Sequence, residues 1–196
     1  LGVPCPVIHL EEASAEAMTP VLRGLPTTVV GASALRGRSV GELSFLAAYH
    51  LVQQAPAHRL VRLCPQIDDL AACFVTAIVL VIPDTPIPDK LGTMVELLLP
   101  PTRKHLSAER EQRLEEAVLA FDAGGARADL LAYARAVEVA GLRAGLLLAG
   151  KLDTALAALS LLPAGQLTSD ERRSELMSFS VSDRAADLRV ALGLSE

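Results

Sequence analysis

The run from Leu70 to Ile82, LAACFVTAIVLVI, is apolar on every side and is stopped by Pro83. A membrane crossing needs about 20 apolar residues, so no membrane span is predicted. The run is either a fully buried strand, which Phe74, Val75 and Ile78 to Ile82 favour, or a helix at the centre of a helical fold. Asp68 and Asp69 suit a helical first turn, where the helix dipole favours carboxylates. The reading adopted is a helix over roughly Gln66 to Ile82. Such a helix must be covered by others, and the composition agrees. Of the 196 residues, 51% are hydrophobic but only 3% aromatic, with no Trp. The core must then rest on Leu, Val, Ala and Ile, and Ala and Leu are strong helix formers.

Around this centre the pattern changes once. Residues 1–38 read as strands and turns, with strand candidates at Val7-Ile8-His9-Leu10 and at Thr27 to Gly31, each bounded by Pro or Gly. From Ser39 onward the period is helical. Ser39 followed by Glu42 is a capping box, and Leu43, Leu46, Ala47 and His50 follow at helical spacing until Pro56. Pro83, Pro86 and Pro88 enforce a loop. A shorter apolar piece, Leu91 to Leu99, is expected to end at Pro100-Pro101. Ser107 caps a polar helix running to Gly124-Gly125, and a long helix over Ala126 to Ala149 ends at Gly150, a natural C-terminal cap. Leu152 to Leu162, Ser169–Ser178 and Ser182–Leu192 complete the helices. The expectation is a single domain over 1–196, mainly α (α+β), with a small N-terminal β-sheet and a helical remainder over 39–196.

Charge and cysteine usage narrow the function classes. The net charge is −5 with dispersed Arg and Lys, and no basic stripe interleaved with aromatics points to nucleic acid. Cys5, Cys64 and Cys73 are an odd set without a Cys-x-x-Cys motif. They fit a reduced, cytoplasmic setting better than a disulfide framework. Leu1 in place of an initiator Met is expected of a piece excised from a longer chain, so a missing signal peptide says little about the parent.

Two segments carry the only chemistry-bearing pattern. Gly41-Glu42-Leu43 opens a helix that leads to Tyr49-His50-Leu51-Val52-Gln53, and a later helix carries Glu138-Val139-Ala140-Gly141-Leu142-Arg143-Ala144-Gly145. In this order they resemble the gluzincin zinc metallopeptidases. There, Asp-Glu-Leu leads into His-Glu-x-x-His, and Glu-x-x-x-Asp-Arg-Ala-Gly downstream supplies the third zinc ligand. The resemblance covers about residues 5 to 160. It implies a zincin-like helical domain in which Tyr49, Gln53 and Glu138 stand at the ligand positions and His50 at the general-base position.

The departures remove the chemistry. Imidazoles at i and i+4 share one helix face and grip zinc at about 2.0–2.1 Å, and a catalytic zinc takes three protein ligands. Tyr49 offers a phenol, a poor ligand at neutral pH with a pKa of about 10, and Gln53 offers a neutral amide. His50 is turned about 100° from the ligand face. Of the three ligands only Glu138 survives, and Leu142 replaces the Asp. Rebuilding a site from His50, His58 and Glu138 is the weaker alternative, and surface or capping roles account for His9, His50, His58 and His105. Asp68-Asp69, Gly124-Gly125 and the pair Arg172-Arg173 read as helix-start charge, helix break and surface pair, and Gly31-Ala32-Ser33-Ala34-Leu35 lacks the final Gly of a Gly-x-Ser-x-Gly motif. An unpaired buried carboxylate is costly, so Glu138 is expected to take a hydrogen bond from Tyr49 or Gln53 in place of the metal.

The resulting expectation is a non-catalytic pseudo-metallopeptidase that holds no cofactor and no metal. It would bind an unknown protein partner or other domains of its parent chain. Two alternatives remain. One is a tetratricopeptide-like helical scaffold, drawn from the Ala/Leu texture of Leu146 to Leu161 but lacking its period. The other is a divergent zinc metallohydrolase using His50 and Glu138.

Overall fold

The computed structural model describes residues 6–11, 13–14, 17–22 and 26–194. Cys5 lies outside them. The chain is mainly helical with a small N-terminal sheet. It groups into two compact units, Leu1–Leu63 with Tyr133–Glu196, and Cys64–Ala132.

The first unit begins with strands β1 (Val7–Glu11), β2 (Met18–Leu22) and β3 (Pro26–Gly31), in sheet order β1-β3-β2. β1 runs parallel to β3, with Val7 opposite Thr27, and β2 runs antiparallel, with Met18 opposite Val30. β2 contains Pro20 and lacks apolar alternation, which hid it from the sequence pattern. A one-turn helix, α1 (Ala32–Leu35), leads to α2 (Val40–Gln53). The expected capping box opens α2: the Ser39 hydroxyl accepts from the Glu42 amide, and Glu42 accepts from the Ser39 amide at 2.8 Å. A short α3 (Arg59–Leu63) follows.

The same unit resumes with most of α7 (Leu130–Ala149), then α8 (Leu152–Ala158), α9 (Ser169–Ser180) and α10 (Asp183–Ala191). α7 starts later than its apolar pattern, because Asp129 caps it by accepting from the Ala132 amide at 2.8 Å, and Ala126 stands at φ 49°. Gly150, at φ 75°, closes it in the left-handed region that favours glycine. The core gathers Phe45, Leu46 and Tyr49 of α2, Leu142 and Leu146 of α7, Ala155 of α8, and Leu176 and Phe179 of α9.

The second unit holds α4 (Ile67–Val81), α5 (Gly92–His105) and α6 (Ala108–Ala123). The apolar run is a helix and not a strand, its apolar residues all buried or half-buried. Ala72 of α4 meets Leu91 and Val95 in a small core, and Phe74 meets Phe121 edge-on with centroids 5.3 Å apart. Pro100 and Pro101 do not break the chain here: they lie inside α5. Their missing amides leave the carbonyls of Glu96 and Leu97 without helical donors. All four residues are exposed, so water can serve those carbonyls. Beyond the prolines the Leu106 amide still bonds the Thr102 carbonyl at 3.1 Å.

Candidate functional site

The face of α2 that carries Phe45 and Tyr49 lies against α7, and glycines on α7 make this possible. A Cβ at Gly141 would stand 2.8 Å from Tyr49 Cδ2, and one at Gly145 would stand 2.7 Å from Phe45 Cδ2. Phe45 and Tyr49, one turn apart, have nearly parallel rings with centroids 6.5 Å apart. The spacing Gly141-x-x-x-Gly145 thus receives two aromatic rings from the facing helix.

Glu138 sits one turn before Gly141 and is 4% exposed. Its Oε1 accepts from Arg172 Nε at 2.6 Å and pairs with Arg172 Nη2 at 2.6 Å. Its Oε2 accepts from the backbone amides of Gln166 at 2.7 Å and Leu167 at 3.0 Å. Arg172 is 6% exposed, and its Nη2 also donates to the Pro163 carbonyl at 2.8 Å. A carboxylate offers about four acceptor sites, and these four contacts use them. Gly165 is required beside the pair: a Cβ there would stand 2.6 Å from Glu138 Oε2 and 2.7 Å from Arg172 Nη2.

The counter-ion of Glu138 is therefore Arg172 of α9. The expected donor, Tyr49 or Gln53, is not its hydrogen-bond partner among the described residues. Arginine wins because a buried carboxylate is best balanced by a full charge with forked donors. The pair Arg172-Arg173 is likewise corrected, since Arg172 is buried while Arg173 is exposed. A sequence signal for this exists. Arg172 stands at i to Leu176 (i+4) and Phe179 (i+7), the buried face of α9.

No family model matches this chain, and no curated protein or solved structure matches it. Its site is read from geometry alone.

Tyr49 is 5% exposed and lies within the electrostatic reach of both charges. Burial raises its phenol pKa, and Glu138 raises it further. Arg172, a hydrogen bond with Gln53 and Arg62 pull the other way. Tyr49 thus lies near Glu138 and shares a hydrogen bond with Gln53. His50 does not join them. Its Nε2 lies 2.8 Å from Thr28 Oγ1 on β3 and 2.9 Å from Gln54 Nε2, and Gln54 donates to Thr28 at 3.1 Å. These three side chains form a buried polar triangle that ties α2 to the sheet. His58 spends Nδ1 on the Val52 carbonyl at 2.9 Å. Beside this region, Tyr49, His50, Gln53, Arg62, Leu161 and Pro163 line a void of only about 10 Å³, at most one water's space.

A zinc ion, which the resemblance implies, does not fit these residues. Glu138 has no free lone pair, His50 and His58 face other partners, and among the described residues no group of three or more His, Cys, Asp or Glu is arranged to hold a metal ion. Asp68 pairs with Lys90 at 2.7 Å. In the segment Arg143-Ala144-Gly145, Arg143 donates to Glu175 at 2.7 Å and lies 5.1 Å from the Phe179 ring centroid, and Gly145 admits Phe45. Both have packing roles. No described helix is long and apolar enough to cross a membrane.

Proposed function

We propose that this chain is a non-catalytic domain of gluzincin ancestry, a pseudoenzyme that works as a protein-interaction or structural module. The observation that carries the reading is the saturated Glu138. Where the resemblance expects a third zinc ligand, this carboxylate balances Arg172 and bonds two backbone amides. Without a ligand set there is no activated water, and with His50 bonded to Thr28 and Gln54 there is no base aimed at one. The interaction half of the reading is supported by β1, an edge strand whose five residues are all exposed, with Ile8 at 61% and Leu10 at 70%. An apolar edge of this kind is suited to strand addition by a partner segment. The partner is a protein or another part of the parent chain, in the reduced cytoplasmic setting suggested by an odd cysteine count without a Cys-x-x-Cys motif.

Metal analysis of the purified chain tests this, with melting followed in chelator and in excess zinc. The proposal expects no stoichiometric metal, unchanged melting in both, and no peptide hydrolysis. Stoichiometric zinc that disappears in Glu138→Gln or His50→Ala would reinstate the metallohydrolase.

A further inference from the structure

We propose that Cys64 and Cys73 form a closable dithiol, an oxidation site at which a low-molecular-weight disulfide converts the two thiols into an intramolecular disulfide. The two residues are nine positions apart, and their Sγ atoms lie 3.6 Å from one another. Both are half-buried free thiols. Cys73 sits on α4, within a rigid helix. Cys64 follows α3 directly and precedes Pro65, whose ring biases the preceding residue toward extended backbone. The two sulfurs are thus presented to each other by fixed backbone. A disulfide bond is about 2.05 Å long, so closure has only to shorten the 3.6 Å separation of the two sulfurs.

The chemistry balances with glutathione disulfide as the oxidant. One cysteine thiolate attacks a glutathione sulfur, breaking the glutathione S–S bond and expelling one glutathione thiolate. The second cysteine loses its proton and attacks the mixed disulfide, expelling the other. Two electrons pass to the oxidant, and the two protons lost by the cysteines are taken up by the glutathione thiolates or solvent. Burial, the hydrogen bond and charge of Cys73, and the charge of Asp69 push the Cys64 thiol up to about 12. The thiolate is the nucleophile, so attack by Cys64 on the glutathione disulfide is disfavoured while Cys73 stands beside it as a thiol.

Closure ties the residue before Pro65 to the second turn of α4 and shortens the unfolded chain's free loop, which stabilises the folded form. The test uses the full chain carrying Cys5→Ser, which removes the third thiol. It is incubated with glutathione disulfide, quenched in acid, alkylated while denatured, and mapped by mass spectrometry. The proposal expects a monomer that has lost the mass of two hydrogens, with the Cys64 and Cys73 peptides joined and the melting temperature raised by roughly 4–10 °C. Adding Cys64→Ser or Cys73→Ser should leave the remaining thiol alkylated or carrying one glutathione. Two alkylated cysteines after prolonged oxidation, stable glutathione on both, or bridging only between chains would each overturn it.

Discussion

Tyr49 lies between opposing charges and can report on them. Burial is the first cause of its raised pKa, the Glu138 carboxylate the second, and the Arg172 guanidinium opposes both. In a Tyr133→Phe background, which leaves Tyr49 the only tyrosine of the two in the sequence, ultraviolet titration follows this phenol alone. Glu138→Gln should lower its midpoint and Arg172→Met should raise it. Equal midpoints in all three proteins would mean that the phenol is remote from the pair. Glu171 gives a second test at this scale. A hydrogen bond from Arg135, then the Thr168 amide and hydroxyl, lower its pKa from the ordinary 4.5 to about 2. A depressed folded pKa stabilises above the unfolded value, so this contribution is present above pH 4.5 and is lost as pH falls toward 2. Arg135→Met should move the carboxyl midpoint upward in an NMR titration, yet leave it below 4.5 because Thr168 remains. A midpoint still near 2 would contradict the assigned cause. The residues of this site were unequally legible in the sequence. Glu138, Tyr49 and Gln53 carry motif positions, whereas Arg172 belongs to no motif and is visible only through its spacing to Leu176 and Phe179.

At the scale of elements, the contact of α2 with α7 depends on two absent side chains. Gly145→Ala gains helix propensity of about 1 kcal/mol but drives a methyl to 2.7 Å from the Phe45 ring. In a buried contact, overpacking costs typically about 1–3 kcal/mol. Denaturant unfolding should therefore show a net loss for Gly145→Ala, recovered when Phe45→Leu is added. A stabilised single variant would contradict the close approach. The starts of α2 and α6 were the most readable part of the fold, because Ser39 with Glu42 and Ser107 are local signals that need no tertiary knowledge. Pro100 and Pro101 misled for the converse reason. Their cost falls on exposed carbonyls that water can satisfy, and exposure is not written in the local sequence. β2 was hidden because its pairing with β3, not its own alternation, makes it a strand.

For the molecule as a whole, the sheet-then-helices order followed from the single switch of period at Ser39, but the division of the chain into two units did not. The segment Cys64–Ala132 lies between two stretches that form one compact unit, and such long-range grouping leaves no mark in periodicity. The account depends on one claim at this scale: α7 and α9 are locked by the buried ion pair of Glu138 and Arg172. A double-mutant cycle measured by urea unfolding tests it most directly, with Glu138→Gln, Arg172→Met and the two combined. Removing one partner of a buried pair costs about 3–5 kcal/mol. Each single variant should therefore lose about that much, and the double variant should fall short of their sum by at least about 2 kcal/mol. Single losses that add to within about 0.5 kcal/mol would mean that Glu138 and Arg172 do not hold each other, and the account would fail.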